Sequence, residues 1–400
     1  MEGLEINFIM NRCFTMWMLM AMITTQGILN SEEVNGKTFM NPESFMNISE
    51  RIRYWGLCCE EYEVLTEDGY YLSVNRILGG NKSAILLMHG LLMEGSVWIS
   101  NLPHQSLGFI LADGGYDVWI GNVRGNSWSR SHKHLSINET EFWNFSFHEM
   151  GIYDLTAMTE FILQKTGQQK IFYAGHALGS TIVYVALSAL PHLAEKIKLF
   201  FALGPAYTLQ QAISPILQIG RFPEVLIKFI FGKKEVGLLS PCQRTGLAQQ
   251  CRQQLVDELC KQGLSLIGGF NLKNLNKSRS DVYISHFPDY TSVKNVVHLS
   301  QLMKSGLFRY FDYGSKNIDM YNQTTPPFYK IEAITVPVAM WSGGQDWVCQ
   351  PMEIAQLRSQ TTNLVYNKEF PDWTHWDFIW GIDAHQHAYK EILGLMEKYL

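Results

Sequence analysis

The chain has 400 residues and is 46% hydrophobic and 13% aromatic, with only 17% charged residues, so it can bury a sizeable core and extended disorder is excluded. Its net charge of −5 provides no basic surface for a phosphate backbone, which argues against nucleic acid as a partner. No second long apolar run follows the one near the N-terminus, which excludes a protein with several membrane spans.

The N-terminus is typical of a protein that enters the secretory pathway. Residues 13–23 (CFTMWMLMAMI) form an apolar stretch that is shorter than the roughly 20 residues of a membrane span. Small and polar residues follow as far as Gly27, so we predict a signal peptide over 1–27. Met10 is an alternative start, because Arg12 then gives a cationic first segment. A buried N-terminal helix is the alternative interpretation.

After a short polar linker, strand and helix patterns alternate along the chain. Two β-rich runs within 60–77 flank the turn signal Glu67-Asp68-Gly69 and predict a hairpin. Further short apolar runs predict strands, and longer amphipathic or apolar runs predict helices; the strands are 83–88, 116–120, 170–174 and 197–203, and the helices are 147–167 and 178–190. Strands that alternate with helices predict a mainly parallel sheet with helices on both faces.

This alternation stops between about Tyr207 and Pro327, where helical pieces and polar turns replace the strand series. It resumes with two strands and a final amphipathic helix, at 336–341, 363–370 and 386–400. We therefore predict an α/β core in two parts, 28–206 and 328–400, with residues 207–327 inserted between them. These inserted residues are called the cap segment below.

The cysteines and sequons also suit a secreted glycoprotein. Cys251 and Cys260 are nine residues apart in a stretch that one disulfide could join in an oxidising compartment. No cysteine or histidine spacing predicts a zinc site. Six Asn-x-Ser/Thr sequons occur, and Asn47, Asn276 and Asn322 are the candidates for glycosylation.

The main candidate for chemistry is Lys170–Ser180 (KIFYAGHALGS), where a strand, a Gly-x-x-x-Gly turn and a helix follow one another. This order is typical of the nucleophile elbow, in which a strained central residue projects above the sheet. Gly175 and Gly179 flank the turn, because a Cβ at either position would clash with neighbouring backbone. The central residue of such an elbow is normally serine, and here it is Ala177.

Beyond this motif, the chain resembles the mammalian acid lipase family, which includes gastric and lysosomal acid lipases. The resemblance runs from about Asn47 to the C-terminus, and it is carried by an ordered set of motifs: YEVLTEDGYYLSVNR (62–76), LGFILADGGYDVW (107–119), DVYISH (281–286), GGQD (343–346) and DFIWGID (377–383). It implies an α/β-hydrolase fold with a mostly parallel central sheet and a helical cap, here the cap segment. It also implies hydrolysis of lipid esters, such as acylglycerols or cholesteryl esters, without a metal or a cofactor.

Carried over residue by residue, the resemblance assigns the triad positions to Ala177, Asp346 and His375, in the order nucleophile, acid and base. It assigns the oxyanion hole to the backbone N–H groups of Leu91 and Leu178. The disulfide of the family's cap falls at Cys251 and Cys260.

Ala177 departs from the family at the decisive position, because a methyl group cannot form an acyl-enzyme. Removing a triad member costs about 10⁴–10⁶ in kcat in comparable enzymes. We therefore expect hydrolysis to be impaired and lipid binding to remain. Three explanations of Ala177 stay open: a natural pseudoenzyme, an active lipase whose serine was deliberately replaced, and an error in the sequence. Milder departures are Met88, Val123 and a short loop at 79–83.

The function predicted for this sequence is thus that of an impaired lipid-ester hydrolase, with two rivals. One rival is a lipid-binding or carrier protein, and the other is a structural or regulatory partner of an active relative. The expected ligand is a lipid ester or a fatty-acyl molecule. A lipid–water interface is a further expected partner. The expected location is outside the cell or in the lysosome, reached through the secretory pathway.

Overall fold

The computed structural model describes residues 40–252 and 254–400. The predicted signal peptide, 1–27, lies outside these residues. Within the described part of the chain, no helix is both long enough and apolar enough to cross a membrane.

Eleven strands form two sheets in the described residues: β1 (Cys59–Leu65), β2 (Tyr70–Ile77), β3 (Ala84–Met88), β4 (Asp117–Gly121), β5 (Ser131–His132), β6 (Ile171–His176), β7 (Ile197–Leu203), β8 (Glu235–Gly237), β9 (Tyr290–Ser292), β10 (Val338–Gly343) and β11 (Leu364–Phe370). Nine of them make the main sheet in the order β1-β2-β4-β3-β6-β7-β10-β11, with β5 beside β2. Pairing is antiparallel from β1 to β4 and parallel from β4 to β11. The predicted mainly parallel sheet is confirmed.

Helices cover both faces of the main sheet or belong to the cap segment: α1 (Ile48–Tyr54), α2 (Leu107–Asp113), α3 (147–166, with a π-helical turn at Met150–Leu155), α4 (Leu178–Ala189), α5 (Glu224–Phe231), α6 (Pro241–Gln250), α7 (Gln254–Gly268), α8 (Ser280–His286), α9 (Val293–Ser305), α10 (Asn317–Tyr321), α11 (Pro351–Gln360), α12 (Asp377–Trp380) and α13 (Lys390–Lys398, after a π-helical turn at His385–Tyr389).

The alternation of side chains along β3 explains how one sheet supports two cores. Leu86 and Met88 point into the core beneath α3 and α4, whereas Ile85 and Leu87 point into the opposite core beneath α2 and α13. All five residues of β3 are buried, as expected of a central parallel strand covered on both faces. The sheet is therefore a rigid base for the loops at the carboxyl ends of its strands.

The cap segment leaves the main sheet after β7 and contains α5 to α10 and the two-stranded antiparallel sheet β8–β9. The chain rejoins the main sheet at β10. A disulfide joins Cys251, at the end of α6, to Cys260 in α7, which confirms the predicted pairing. Asn322 is exposed, and Asn47 and Asn276 are half-buried with side-chain oxygens bound to backbone N–H groups, so glycosylation stays a prediction.

Candidate active site

The turn between β6 and α4 has the strained backbone that the elbow motif predicts. Ala177 adopts φ 51° and ψ −115°, a left-handed conformation that L-residues rarely take. A Cβ on Gly175 would lie 2.5 Å from the carbonyl carbon of Gly179, and a Cβ on Gly179 would lie 2.4 Å from the carbonyl oxygen of Met88. Both positions therefore require glycine, because α4 crosses β3 and β6 at this close distance.

The predicted acid and base positions come together beside this turn. His375 Nδ1 lies 2.9 Å from Asp346 Oδ2, and both side chains are buried. The other carboxylate oxygen of Asp346 accepts the N–H groups of Val348 and Cys349, each at 2.8 Å. Because these bonds fix the carboxylate, its free lone pair holds the imidazole of His375 in one orientation. Within the described residues, no group bonds the second ring nitrogen, Nε2.

A second carboxylate fixes the loop that carries His375. Asp377 accepts the backbone N–H and the hydroxyl of Thr374, the latter at 2.8 Å, and the side-chain amide of Asn274 in the cap segment, also at 2.8 Å. Burial raises the pKa of Asp377 to about 6, since no cation in the described residues lies against it to offset the lost hydration. The loop of the candidate base is therefore tied to the cap segment.

The loop after β3 brings Leu91 to the other side of Ala177. A Cβ on Gly90 would lie 3.3 Å from the methyl carbon of Ala177, so the two loops are in close contact. His89 holds this loop, with Nδ1 at 2.9 Å from the carbonyl oxygen of Gly90 and Nε2 accepting the N–H of Val123 at 3.3 Å. Burial lowers the pKa of His89, which keeps the ring neutral as this pattern requires.

The cap segment also contacts this loop directly, a feature that the sequence did not indicate. Leu92 has a left-handed backbone (φ 55°), and its carbonyl oxygen accepts the N–H of Asp289 at 2.6 Å. The carboxylate of Asp289 in turn accepts the N–H of Ser127 at 2.9 Å and pairs with Arg244 at 3.1 Å. No local signal marks Asp289, since its partners lie more than 40 residues away.

A narrow apolar cavity of about 80 Å³ lies between these loops and the cap segment. Ala177, Leu91, Leu178 and His375 border it. Aliphatic side chains complete the wall, chiefly Leu209, Ile216, Leu217, Leu238, Leu299 and Val348. A cavity of this volume encloses part of an alkyl chain.

The thiol of Cys349 also lies close to the pair, so the three groups together form a candidate metal site. One ligand atom from each of Asp346, Cys349 and His375 lies within 4.8 Å of the other two. Burial and the charge of Asp346 raise the pKa of the thiol well above its usual value, so Cys349 keeps its proton. Metals bind the thiolate, and the carboxylate already bonds the ring directly. These residues therefore fit a hydrogen-bonded pair rather than a metal centre.

Comparisons with known proteins support the α/β-hydrolase fold. Residues 83–382 match the family model described as alpha/beta hydrolase fold, and residues 48–102 match that described as partial alpha/beta-hydrolase lipase region. Lipase member M of Homo sapiens is 48% identical, and the match covers all of this chain and 96% of that protein. The chain belongs to the acid lipase family. The predicted likeness to lipase member M, based on residues 45–50 and 344–347, is confirmed.

Other members of the acid lipase family match over a similar length. Lysosomal acid lipase/cholesteryl ester hydrolase of Homo sapiens is 48% identical over 93% of this chain and 96% of that protein. Gastric triacylglycerol lipase of Mus musculus is 45% identical over 95% of this chain and 99% of that protein. A soluble variant of monoglyceride lipase from Saccharomyces cerevisiae shares the fold, with 16% identity and a TM-score of 0.50 over 84% and 94% of the two chains.

Proposed function

We propose that this acid lipase family member binds lipid esters or fatty-acyl molecules in the cavity beside Ala177 and hydrolyses esters poorly or not at all. The observation that carries the proposal is the methyl group of Ala177 at the apex of an otherwise intact elbow. In the proposed roles, Asp346 and His375 are the acid and base, and the N–H groups of Leu91 and Leu178 form the oxyanion hole.

In the part of the chain that the structure describes, no neighbouring side chain replaces the missing nucleophile. The hydroxyl of Ser180 is fully buried and donates to the carbonyl oxygen of Gly175 at 2.7 Å, one turn into α4. The thiol of Cys349 is buried and protonated, and a thiol attacks only as its thiolate. Without a hydroxyl or thiolate beside His375, the imidazole has only water to activate.

The cap segment supports the lipid part of the proposal. Residues 207–327 are the proposed cap, and several of their aliphatic side chains line the cavity. On the outer surface, α5 leaves Val225 and Phe229 more than 80% exposed. Lys228 lies on the same helix, and such a mixture of apolar and cationic side chains suits adsorption to a lipid–water interface. Entry into the secretory pathway, with delivery outside the cell or to the lysosome, is part of the same proposal.

The experiment combines binding, turnover and labelling of the purified protein. We expect a non-hydrolysable ether analogue of a diacylglycerol to bind. Turnover of the matching ester should be about 10⁴–10⁶ below that of a serine-containing relative. A serine-directed fluorophosphonate should leave Ala177 unlabelled. Stoichiometric labelling within the cavity would reveal another nucleophile and overturn the proposal. Failure of the ether analogue to bind would favour the rival function, a structural or regulatory partner.

A further inference from the structure

We infer that the preferred ligand of this site is a free fatty acid rather than its ester. The inference rests on the proposed function, since it names the chemical class that the same cavity selects. It follows from the hydrogen-bonding groups that the replacement of serine by Ala177 leaves without a partner.

Three polar groups around the cavity have no bonding partner in the part of the chain that the structure describes. Two are the backbone N–H groups of Leu91 and Leu178, and the third is Nε2 of His375. Leu178 begins α4, whose N-cap residue, Ala177, has no side chain that could bond the free N–H groups. A helix of 12 residues also places partial positive charge at this end. The free N–H groups and the start of α4 therefore favour the binding of an oxygen atom that carries negative charge.

The orientation of His375 decides what the third group requires. Its Nδ1–H donates to Asp346 at 2.9 Å, so Nε2 of the neutral ring carries a lone pair and accepts a proton. In a serine hydrolase the nucleophile's hydroxyl supplies that proton. The methyl group of Ala177 supplies none. A ligand that brings its own acidic proton therefore satisfies Nε2, and the His375 side chain that carries this nitrogen is only 5% exposed.

A carboxylic acid meets all three requirements at once. Its O–H donates to Nε2 of His375 and passes the proton to that nitrogen, and the other oxygen accepts the N–H groups of Leu91 and Leu178. The resulting carboxylate and imidazolium stay paired, with the charge of Asp346 on the far side of the ring. An ester has no proton to give, and its alkoxy oxygen places a carbon substituent against Nε2. The ester thus leaves a buried polar group without a partner, which is costly.

The rest of the wall suits an alkyl chain and offers no competing charge. Of the residues that line the cavity, only His375 titrates, and the others are glycine, alanine, proline or larger apolar residues. The carboxyl group is therefore directed to one end of the cavity, and the chain lies against side chains such as Leu209, Leu238 and Leu299.

The test compares decanoic acid, methyl decanoate and decanol by equilibrium dialysis against the folded, secreted protein. We expect the acid to bind at least about tenfold more tightly than the ester or the alcohol, a factor that one charge-assisted hydrogen bond supplies. His375→Phe keeps a ring of similar shape without nitrogen, so it should remove this preference, and the acid and the ester should then bind about equally. Leu238→Ala is the matched control and should weaken the acid and the ester equally.

Ala177→Ser provides a second variant that does not depend on changing the histidine. The new hydroxyl bonds Nε2 from within the protein, so the preference for decanoic acid over decanol should fall. An ester that binds the original protein as tightly as the acid would overturn the inference and leave the proposed lipid binding intact. If none of the three ligands binds, the proposed function itself is wrong.

Discussion

Replacing Ala177 by serine would supply the side-chain oxygen that the proposed site of this protein lacks. The change adds a single oxygen at a position that borders the cavity, and the nearest loop carries Gly90, which has no side chain there. The backbone already has the required left-handed conformation, so the substitution demands no rearrangement of the turn. We expect a loss of less than about 1.5 kcal/mol in the free energy of unfolding.

The expected gain in hydrolysis follows from the geometry around the new hydroxyl. His375 is held by Asp346 at 2.9 Å with its Nε2 free, and the N–H groups of Leu91 and Leu178 are without partners in the described residues. Removing a serine from such a triad costs about 10⁴–10⁶ in kcat. Since the cavity is narrow in this state, we set the minimum below that range and expect a gain of at least about 10³, or about 4 kcal/mol of transition-state stabilisation.

The assay is hydrolysis of p-nitrophenyl butyrate by the original protein and by Ala177→Ser. Adding His375→Ala to the serine variant should abolish the gain, because serine without its base is a weak nucleophile. Ser180→Ala in the serine variant is the matched control and should leave the gain in place, since that hydroxyl donates to the carbonyl oxygen of Gly175 in β6 and does not border the cavity. A folded serine variant that binds lipid but hydrolyses the ester no faster than the original protein would refute the reasoning. Met88 and Val123, which also depart from the family, would then be the next residues to change.

Three further predictions concern stability. Gly179→Ala should lower the free energy of unfolding by more than about 3 kcal/mol, because its Cβ would lie 2.4 Å from a carbonyl oxygen. Gly394→Ala is the control: no atom lies within 4 Å of its added Cβ, so this change should raise the free energy of unfolding by roughly 0.5–1 kcal/mol. Equal effects in urea denaturation would contradict this. Replacing Cys251 and Cys260 together by serine should cost roughly 2–3 kcal/mol, and an unchanged melting temperature would show that the disulfide adds nothing. Asp377→Asn should flatten the pH dependence of stability between pH 4 and 6, and a slope identical to that of the original protein would exclude this carboxyl as a cause.

The sign of the last effect follows from proton binding. The pKa of Asp377 is about 6 in the folded protein and 3.8 in the unfolded chain, so between these values the folded state holds more protons. Stability from this group is therefore greatest at low pH and falls as the pH rises from about 4 to 6. The asparagine variant lacks the group and should lose this part of the slope.

The sequence was sufficient wherever a local rule applies. Strand 197–203 was predicted with its observed bounds, and the turn at Ala177 was recognised because its two glycines and the flanking strand and helix lie within 11 residues. The pairing of Asp346 with His375 came from the family resemblance, not from spacing. The contacts of Asp289 with Leu92, and of Asp377 with Asn274, were missed, because each joins residues more than 100 apart through tertiary packing. The cavity volume was missed for the same reason.

The elbow keeps its shape without serine because backbone bonds, and not the side chain, hold it. Ala177 donates its N–H to the carbonyl oxygen of Leu203 at 3.1 Å, and its own carbonyl oxygen accepts N–H groups from Ser180 at 3.0 Å and from Ala206 at 3.3 Å. Left-handed backbone at a residue with a Cβ costs roughly 1–3 kcal/mol, and these bonds, with the close crossing of α4 over β3, maintain it. The strain therefore persists although the hydroxyl that it would serve is absent. In the proposed site only the nucleophile is missing, and a positioned histidine and free N–H donors remain in the described residues, which is why one oxygen is expected to convert the proposed binding site into a hydrolase.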